Sequence, residues 1–222
     1  MIKKMAPALA RTPLIFAHRG LHDSAPENTI AAFGAAIERG FDGIECDVRL
    51  DRNKIPIIFH NRLVPDGRPV STLTRAELSD EVNYEVPELT QALELSANVI
   101  WNIEIKTTDA VDETAKVLQN LRPSHQIIVS SFIHSNVFNL VNRLNVEGAL
   151  LVYHRPIAAI IEPQSLHPRI TTIVWNCETV DTTNLQWATS IGLKNMIYGF
   201  ANPVEHQAFY RDDVAALITD FP

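Results

Sequence analysis

Residues 14–50 read LIFAHRGLHDSAPENTIAAFGAAIERGFDGIECDVRL, and this stretch decides the fold class. Two short apolar runs, Leu14–His18 and Gly43–Leu50, flank a longer amphipathic stretch at residues 27–39. Short apolar runs bounded by turn residues are typical of buried strands, whereas a longer amphipathic stretch is typical of a helix. The segment therefore predicts a strand, a helix and a second strand, which is the repeating unit of a parallel sheet.

The same alternation continues along the chain. Further strands are predicted at residues 99–105, 126–131, 148–153, 171–177, 195–200 and 214–219, and further helices at residues 87–97, 111–121, 135–144, 182–191 and 204–210. With the short run at residues 54–59 set aside as an excursion, the strands number eight. This count favours an α/β fold closed as a TIM (β/α)₈ barrel. An open doubly wound sheet is the alternative, although no glycine-rich nucleotide-binding loop follows any strand.

Two segments depart from the alternation. Residues 61–85 are polar and turn-rich, which indicates a short insertion after the second barrel strand, so residues 1–222 are predicted to form one barrel domain. The last predicted strand is not followed by an eighth helix. We expect either the N-terminal segment or a second subunit, in a homodimer, to cover the strands that this helix would otherwise pack against.

Composition and charge restrict the classes of function. The chain has 222 residues, 46% of them apolar and 20% charged, which is ordinary globular usage and excludes general disorder. Its net charge is −7 and it has no cluster of basic residues, so we expect no nucleic-acid partner. No signal peptide and no run of 18 apolar residues is found, and the two cysteines lack zinc-site spacing. We therefore expect a reduced, cytoplasmic protein without a membrane span.

Three acidic residues lie near the C-terminal ends of predicted strands. Glu45 and Asp47 share one face of their strand, because residues i and i+2 point the same way, and Glu104 ends the next barrel strand. In a TIM barrel these ends meet at the mouth of the active site. Clustered carboxylates repel one another, and a divalent cation that prefers oxygen ligands relieves the repulsion. The sequence thus predicts a Mg²⁺ or Ca²⁺ site at Glu45, Asp47 and Glu104.

Two histidines and two cations accompany the acidic residues. His18 ends the first strand and His60 follows the excursion, and imidazoles suit general acid and general base roles near neutral pH. Arg19 and Lys106 are cations that bind phosphate oxygens, Arg19 with two parallel hydrogen bonds where geometry allows. A metal, two proton-transfer groups and two cations together predict the cleavage of a phosphodiester.

At these residues the chain resembles the glycerophosphodiester phosphodiesterase family. The motifs that carry the resemblance are His18-Arg19-Gly20, Pro26-Glu27-Asn28-Thr29, Ile44-Glu45-Cys46-Asp47-Val48, His60, Asn102-Ile103-Glu104-Ile105-Lys106, Ser130-Ser131-Phe132 and Ile218-Thr219-Asp220-Phe221-Pro222. They occur in order and cover the chain from residue 14 to the end.

The resemblance implies a TIM barrel that hydrolyses glycerophosphodiesters to glycerol 3-phosphate and an alcohol. Carried over position by position, the roles are metal binding for Glu45, Asp47 and Glu104, acid–base catalysis for His18 and His60, and phosphate contact for Arg19 and Lys106. The implied mechanism begins with attack of the glycerol 2-hydroxyl on phosphorus. Water then opens the cyclic phosphate while the histidines exchange roles.

Three features of the sequence differ from the family pattern. The family commonly has His-Asp where this chain has His60-Asn61, and Trp-Thr-Val-Asn where it has Tyr198-Gly199-Phe200-Ala201. The insertion at residues 61–85 is also shorter than is usual in the family. These differences predict a substrate pocket with its own shape and polarity.

Two further functions are alternatives. A related barrel phosphodiesterase acting on lysophospholipids would need an apolar groove near residues 61–85 to bury the lipid tail. A non-catalytic phosphate-binding barrel would be indicated by loss of either histidine, and both are present. The enzyme acting on a small-molecule phosphodiester is therefore the main prediction.

Overall fold

The structure, a computed structural model, describes residues 13–120, 125–154 and 166–221. Its strands are β1 (Leu14–His18), β2 (Gly43–Leu50), β3 (Pro56–Ile58), β4 (Ile100–Ile105), β5 (Gln126–Ser131), β6 (Glu147–Val152), β7 (Ile170–Asn176), β8 (Lys194–Tyr198) and β9 (Ala216–Thr219). Its α-helices are α1 (Ile30–Arg39), α2 (Arg75–Val82), α3 (Leu89–Glu94), α4 (Ala110–Gln119), α5 (His134–Arg143) and α6 (Thr182–Ser190). Within these ranges, 3-10 helices span Val70–Thr72 and Pro203–Phe209.

Eight of the strands form a closed ring. Their order is β1-β9-β8-β7-β6-β5-β4-β2, and the parallel pairing of β1 with β2 closes it. All pairings within the ring are parallel. The predicted TIM barrel is thus confirmed, and the open doubly wound sheet is excluded. The remaining strand, β3, pairs antiparallel with the end of β2 and lies outside the ring, at the predicted excursion.

The interior of the barrel is filled by side chains from alternate strand positions, as the two-residue period of a strand requires. Phe16, Val174, Met196 and Ile218 belong to this buried cluster. Phe16 pairs with Gly43 on β2, and a Cβ atom at position 43 would overlap the Phe16 ring. Because Gly43 has no side chain, the large Phe16 ring can fill this part of the barrel interior.

The insertion at residues 61–85 has a small apolar core of its own, which the sequence did not predict. Buried side chains from β3 and the insertion pack together: Ile57, Phe59, Val64, Val70, Leu73, Leu78 and Val86. Helix α2 begins with a capping box in which Thr74 and Glu77 satisfy each other's backbone N–H groups. Helix α2 buries only Leu78, in agreement with the weak apolar period of the helix sequence.

Several predicted boundaries differ from the structure. Helix α1 begins at Ile30 and not at residue 27, because Thr29 caps it and Asn28 has a positive φ of 59°. The helix predicted at residues 204–210 is a 3-10 helix. The predicted cover of β9 and β1 by residues 1–12 lies outside the described residues. Across the described ranges, no helix has both the length and the apolar character needed to cross a bilayer.

Candidate active site

The three predicted metal ligands meet at the C-terminal ends of β2 and β4. The strand register places Asp47 beside Glu104, and Glu45 lies two residues earlier on the same face of β2. One carboxylate oxygen from each residue lies within 4.8 Å of the others. All three side chains are buried. The geometry is therefore that of a compact, water-poor site with three oxygen donors.

Burial and mutual repulsion disturb the ionisation of this carboxylate cluster. Burial raises the pKa of Glu45 well above its usual range, and the neighbouring Asp47 and Glu104 raise it further. The pKa of Glu104 is raised by burial and by Asp47. For Asp47, burial acts in the same direction, but Lys106 and Arg19 together hold its pKa below the usual value. The cluster thus favours any added positive charge.

Lys106 and Arg19 both contact the carboxylates. The Nζ atom of Lys106 lies 2.7 Å from Oε1 of Glu104 and 3.2 Å from Oδ1 of Asp47. Arg19 forms hydrogen bonds of 2.9 and 3.0 Å to the two oxygens of Glu27, and its Nε lies 3.3 Å from Asp47. Four carboxylates therefore surround two cations, and the group keeps an excess of negative charge.

A loop with two left-handed residues links the first two motifs. Arg19 and Asn28 have φ angles of 57° and 59°, and the N–H of Asn28 donates to the carbonyl of Arg19 at 2.9 Å. The Asn28 amide in turn donates to Oδ2 of Asp47 at 2.8 Å. Gly20, the residue after Arg19, has a φ angle of 82°, and a Cβ atom on it would lie 2.8 Å from the backbone of Ala32. Strained backbone of this kind is typical of functional sites.

His18, at the end of the first strand, is held by an acidic residue that follows the last strand. Its Nδ1 lies 2.8 Å from Oδ1 of Asp220, and its Nε2 lies 4.0 Å from Oε2 of Glu45. The same Asp220 oxygen lies 3.1 Å from Nε2 of His22. Although burial opposes it, contact with His18 and then His22 lowers the pKa of Asp220 to about 2. Asp220 therefore fixes the orientation of the His18 ring.

His60 has a neutral partner instead. Its Nδ1 lies 3.1 Å from Oδ1 of Asn61, so the amide takes the place of the carboxylate that is usual at this position in the family. Arg49 anchors the same turn, since its Nε donates to the His60 carbonyl at 2.9 Å. Burial lowers the pKa of His60, and the positive charges of Arg19 and Lys106 act in the same direction. Asp47 acts in the opposite direction, but the net shift of the pKa is downward, so the uncharged form of the His60 ring is favoured.

A cavity of about 230 Å³ opens above these groups. Its lining includes His18, Glu45, His60, Glu104 and Lys106 from the predicted site, together with Phe132, Leu151, Tyr153, Tyr198 and Ile218. The buried amide of Asn102 and hydroxyl of Ser130 also line it, and neither has a hydrogen-bond partner among the described residues. Unpartnered buried polar atoms need water or a polar ligand, so this cavity is suited to bind one.

A larger cavity of about 550 Å³ lies at the other end of the barrel, around Leu14, Ile100 and Ala215. That end carries the N-termini of the strands. Active sites of this fold lie at the C-terminal ends, so the smaller cavity is the candidate active site.

All seven predicted site residues lie in this region, but their catalytic roles stay predictions. Asp220, Asn28 and Asn61 are not among the predicted site residues, yet their side chains orient residues that are. Asp220 and Asn28 belong to family-like motifs, and Asn61 differs from the family pattern, so each carried a signal in the sequence. Tyr198, which lies at a difference from the family pattern, lines the cavity.

The comparisons with known proteins agree with the motifs. The model of the Glycerophosphoryl diester phosphodiesterase family matches residues 18–222. "Glycerophosphodiester phosphodiesterase" of Bacillus altitudinis is 29% identical over 185 residues, which cover 70% of this chain and 75% of that protein. "Probable glycerophosphodiester phosphodiesterase 1" of Mycobacterium tuberculosis is 41% identical over 76 residues, and this match spans only 28% of its length.

A solved structure shares the fold. It is that of a phosphodiesterase from Oleispira antarctica in complex with the product sn-glycerol-3-phosphate, which superposes with a TM-score of 0.82 at 22% identity. The match covers 95% of this chain and 94% of the other.

Proposed function

We propose that this chain, which belongs to the glycerophosphoryl diester phosphodiesterase family, hydrolyses glycerophosphodiesters to glycerol 3-phosphate and an alcohol. One observation carries the proposal: a buried carboxylate cluster lies beside two histidines whose rings are each fixed by an oxygen acceptor. The phosphodiesterase from Oleispira antarctica, which has the same fold, was solved with sn-glycerol-3-phosphate as its product. The predicted barrel domain of residues 1–222 would contain the whole site.

The donor set fits a hard divalent cation. Glu45, Asp47 and Glu104 offer only oxygen atoms, and these atoms lie close enough to share one ion. Because the surrounding cations do not balance the carboxylates, a bound Mg²⁺ or Ca²⁺ would remove both the excess charge and the repulsion that raises the pKa of Glu45. When bound, such an ion polarises phosphate oxygens and stabilises charge that develops on them.

The phosphate would bind between the two cations and the unpartnered polar groups. Lys106 lies beside the carboxylates and has a small exposed fraction of 12%, so its charge acts at short range in a poorly hydrated site. Asn102 and Ser130 would donate hydrogen bonds that no described residue accepts. Arg19 would contribute mainly as a fixed positive charge, since Glu27 already binds its NH1 group.

The two histidines would move the protons. One removes the proton of the glycerol 2-hydroxyl as its oxygen attacks phosphorus, and the other protonates the leaving alcohol as its P–O bond breaks. In the second half, the roles exchange: a water molecule is deprotonated, attacks the cyclic phosphate, and the released 2-oxygen regains a proton. His18 and His60 both border the cavity, and both are oriented through Nδ1, which leaves Nε2 for these transfers.

The lysophospholipid alternative requires an apolar groove near residues 61–85 that could bury a lipid tail. Most apolar side chains of the insertion are buried in their own cluster, and the exposed Leu63 lines a separate cavity of about 260 Å³ whose lining includes the charged Arg49, Arg62 and Asp109. The active-site cavity of about 230 Å³ lies below the usual range for drug-sized ligands. A small deacylated substrate suits this cavity better than a lipid chain does.

The test is release of glycerol 3-phosphate from glycerophosphocholine and glycerophosphoethanolamine with Mg²⁺, with Ca²⁺ and with a chelator. His18→Ala and Glu45→Ala should abolish the release, and Glu38→Ala, an exposed carboxylate of α1, serves as the matched control. Release that survives chelation would contradict metal dependence. Failure of the wild-type protein to act on either substrate with either ion would contradict the proposed reaction.

A further inference from the structure

The mouth of the barrel has two chemically different halves. The charged residues of the site come from β1, β2 and β4, which are neighbours in the ring. The opposite half of the cavity lies at β5, β6 and β8, and an aromatic residue ends or directly follows each of these strands. The three residues are Phe132, Tyr153 and Tyr198, which we call the aromatic wall.

Two residues of the aromatic wall are much more exposed to solvent than aromatic side chains that only pack in a core. Phe132 and Tyr153 are 44% and 54% exposed, and both are among the most exposed large apolar residues of the described chain. The rings of Phe132 and Tyr198 meet edge to face, with centroids 6.0 Å apart and planes at 73°. Tyr153 is braced by His154 at 4.8 Å. Exposed aromatic side chains held in this way are typical of ligand recognition.

We propose that the aromatic wall binds the leaving alcohol of the substrate and selects a quaternary ammonium group such as that of choline. This inference rests on the proposed function. The glycerol hydroxyls need the polar half of the site, because their protons and oxygens must reach the histidines and carboxylates. The alcohol on the other side of phosphorus then points toward Phe132, Tyr153 and Tyr198.

A quaternary ammonium group matches the wall for a physical reason. Its methyl groups cannot donate hydrogen bonds, and the faces of aromatic rings attract its positive charge. No lysine or arginine of the described chain lines the cavity on β5, β6 or β8, so no cation competes there. The net charge of the chain is −7, which favours a cationic ligand over an anionic one. A primary ammonium group would instead remain better solvated by water.

The experiment compares three substrates of the intact protein with Mg²⁺ present: glycerophosphocholine, glycerophosphoethanolamine and the 3,3-dimethylbutyl diester. The last has the shape of the choline ester without its charge. We expect kcat/KM for the choline ester to exceed both others by about 2- to 30-fold. Phe132→Leu and Tyr153→Leu should reduce this preference because they keep an apolar surface but remove the ring. Tyr210→Leu, an exposed aromatic outside the cavity, should retain it.

A binding measurement separates this inference from the proposed reaction. Choline and 3,3-dimethylbutanol are titrated into wild type and the two leucine variants, with saturation-transfer NMR as the readout. Preference for choline, lost in the variants, supports the wall even if no diester is hydrolysed. Equal kcat/KM for the charged and neutral esters, or equal binding of the two alcohols, would overturn it. Hydrolysis of none of the diesters contradicts the proposed function instead.

Discussion

The Nδ1 atom of His18 lies 2.8 Å from Oδ1 of Asp220, although 202 residues separate them in sequence. The carboxylate accepts a hydrogen bond from the Nδ1–H group, so the other ring nitrogen, Nε2, faces the site. This arrangement stabilises the imidazolium that forms when His18 takes up a proton, as a buried aspartate does in the Ser-His-Asp triad.

Asp220→Asn tests this positioning role. We expect kcat to fall by on the order of 10²-fold with a smaller change in KM, because the ring loses its preferred tautomer while the substrate contacts remain. Steady-state kinetics over a range of pH measures both parameters, and a shifted limb of the kcat profile is the mark of an altered acid–base group. An equal loss in kcat at all pH values, with no shift of either limb of the profile, would instead indicate a structural role.

The lowered pKa of Asp220 predicts that the stability of the folded protein depends on pH. The pKa of Asp220 is lowered from 3.8 to about 2, so the folded protein favours its ionised form. Its stabilising contribution is present above about pH 4 and is lost as the pH falls toward 2. Because the side chain is 38% exposed, the contribution should stay below about 1 kcal/mol. Urea unfolding of wild type and Asp220→Asn should show a difference in free energy that shrinks on acidification; a constant difference would contradict the pairing.

Glu45→Gln tests the metal site without an activity assay. In wild type, added Mg²⁺ or Ca²⁺ should raise the melting temperature, because a ligand at 100 times its Kd stabilises the folded state by about 2.7 kcal/mol. The variant lacks one of three anionic donors and should show little or no rise. Glu38→Gln should respond as wild type does. Equal responses of all three proteins would place the ion elsewhere.

Gly43→Ala tests the packing of the barrel interior. A Cβ atom at position 43 overlaps the Phe16 ring, and both residues are buried in paired strands. We expect a loss of about 1–3 kcal/mol in the free energy of unfolding. A Cβ atom added at Gly34 in α1 would meet open space, so Gly34→Ala should be neutral or stabilising by up to about 1 kcal/mol. Chemical denaturation of both variants measures the contrast.

The ring of strands and the main site residues could be predicted because they follow local rules. Alternation of short apolar runs with amphipathic stretches indicated the barrel, and the two-residue period placed Glu45 with Asp47. Asp220 was missed as the partner of His18 because that contact depends on ring closure, which no local pattern encodes. Helix α2 was missed since its stability comes from a capping box and the single buried Leu78, not from an apolar period. The 3-10 helix at Pro203–Phe209 was predicted as an ordinary helical stretch because its composition is similar.

The pairing of β1 with β9 has a consequence for the order of events during synthesis. While the chain emerges from the ribosome, β1 has only β2 as a neighbour, and its other edge stays unpaired until almost all later strands exist. Asp220 follows β9 directly, so His18 gains its partner in the same step that seals that edge. The orientation of the His18 ring would then be set together with barrel closure, and nascent or misclosed chains would lack it.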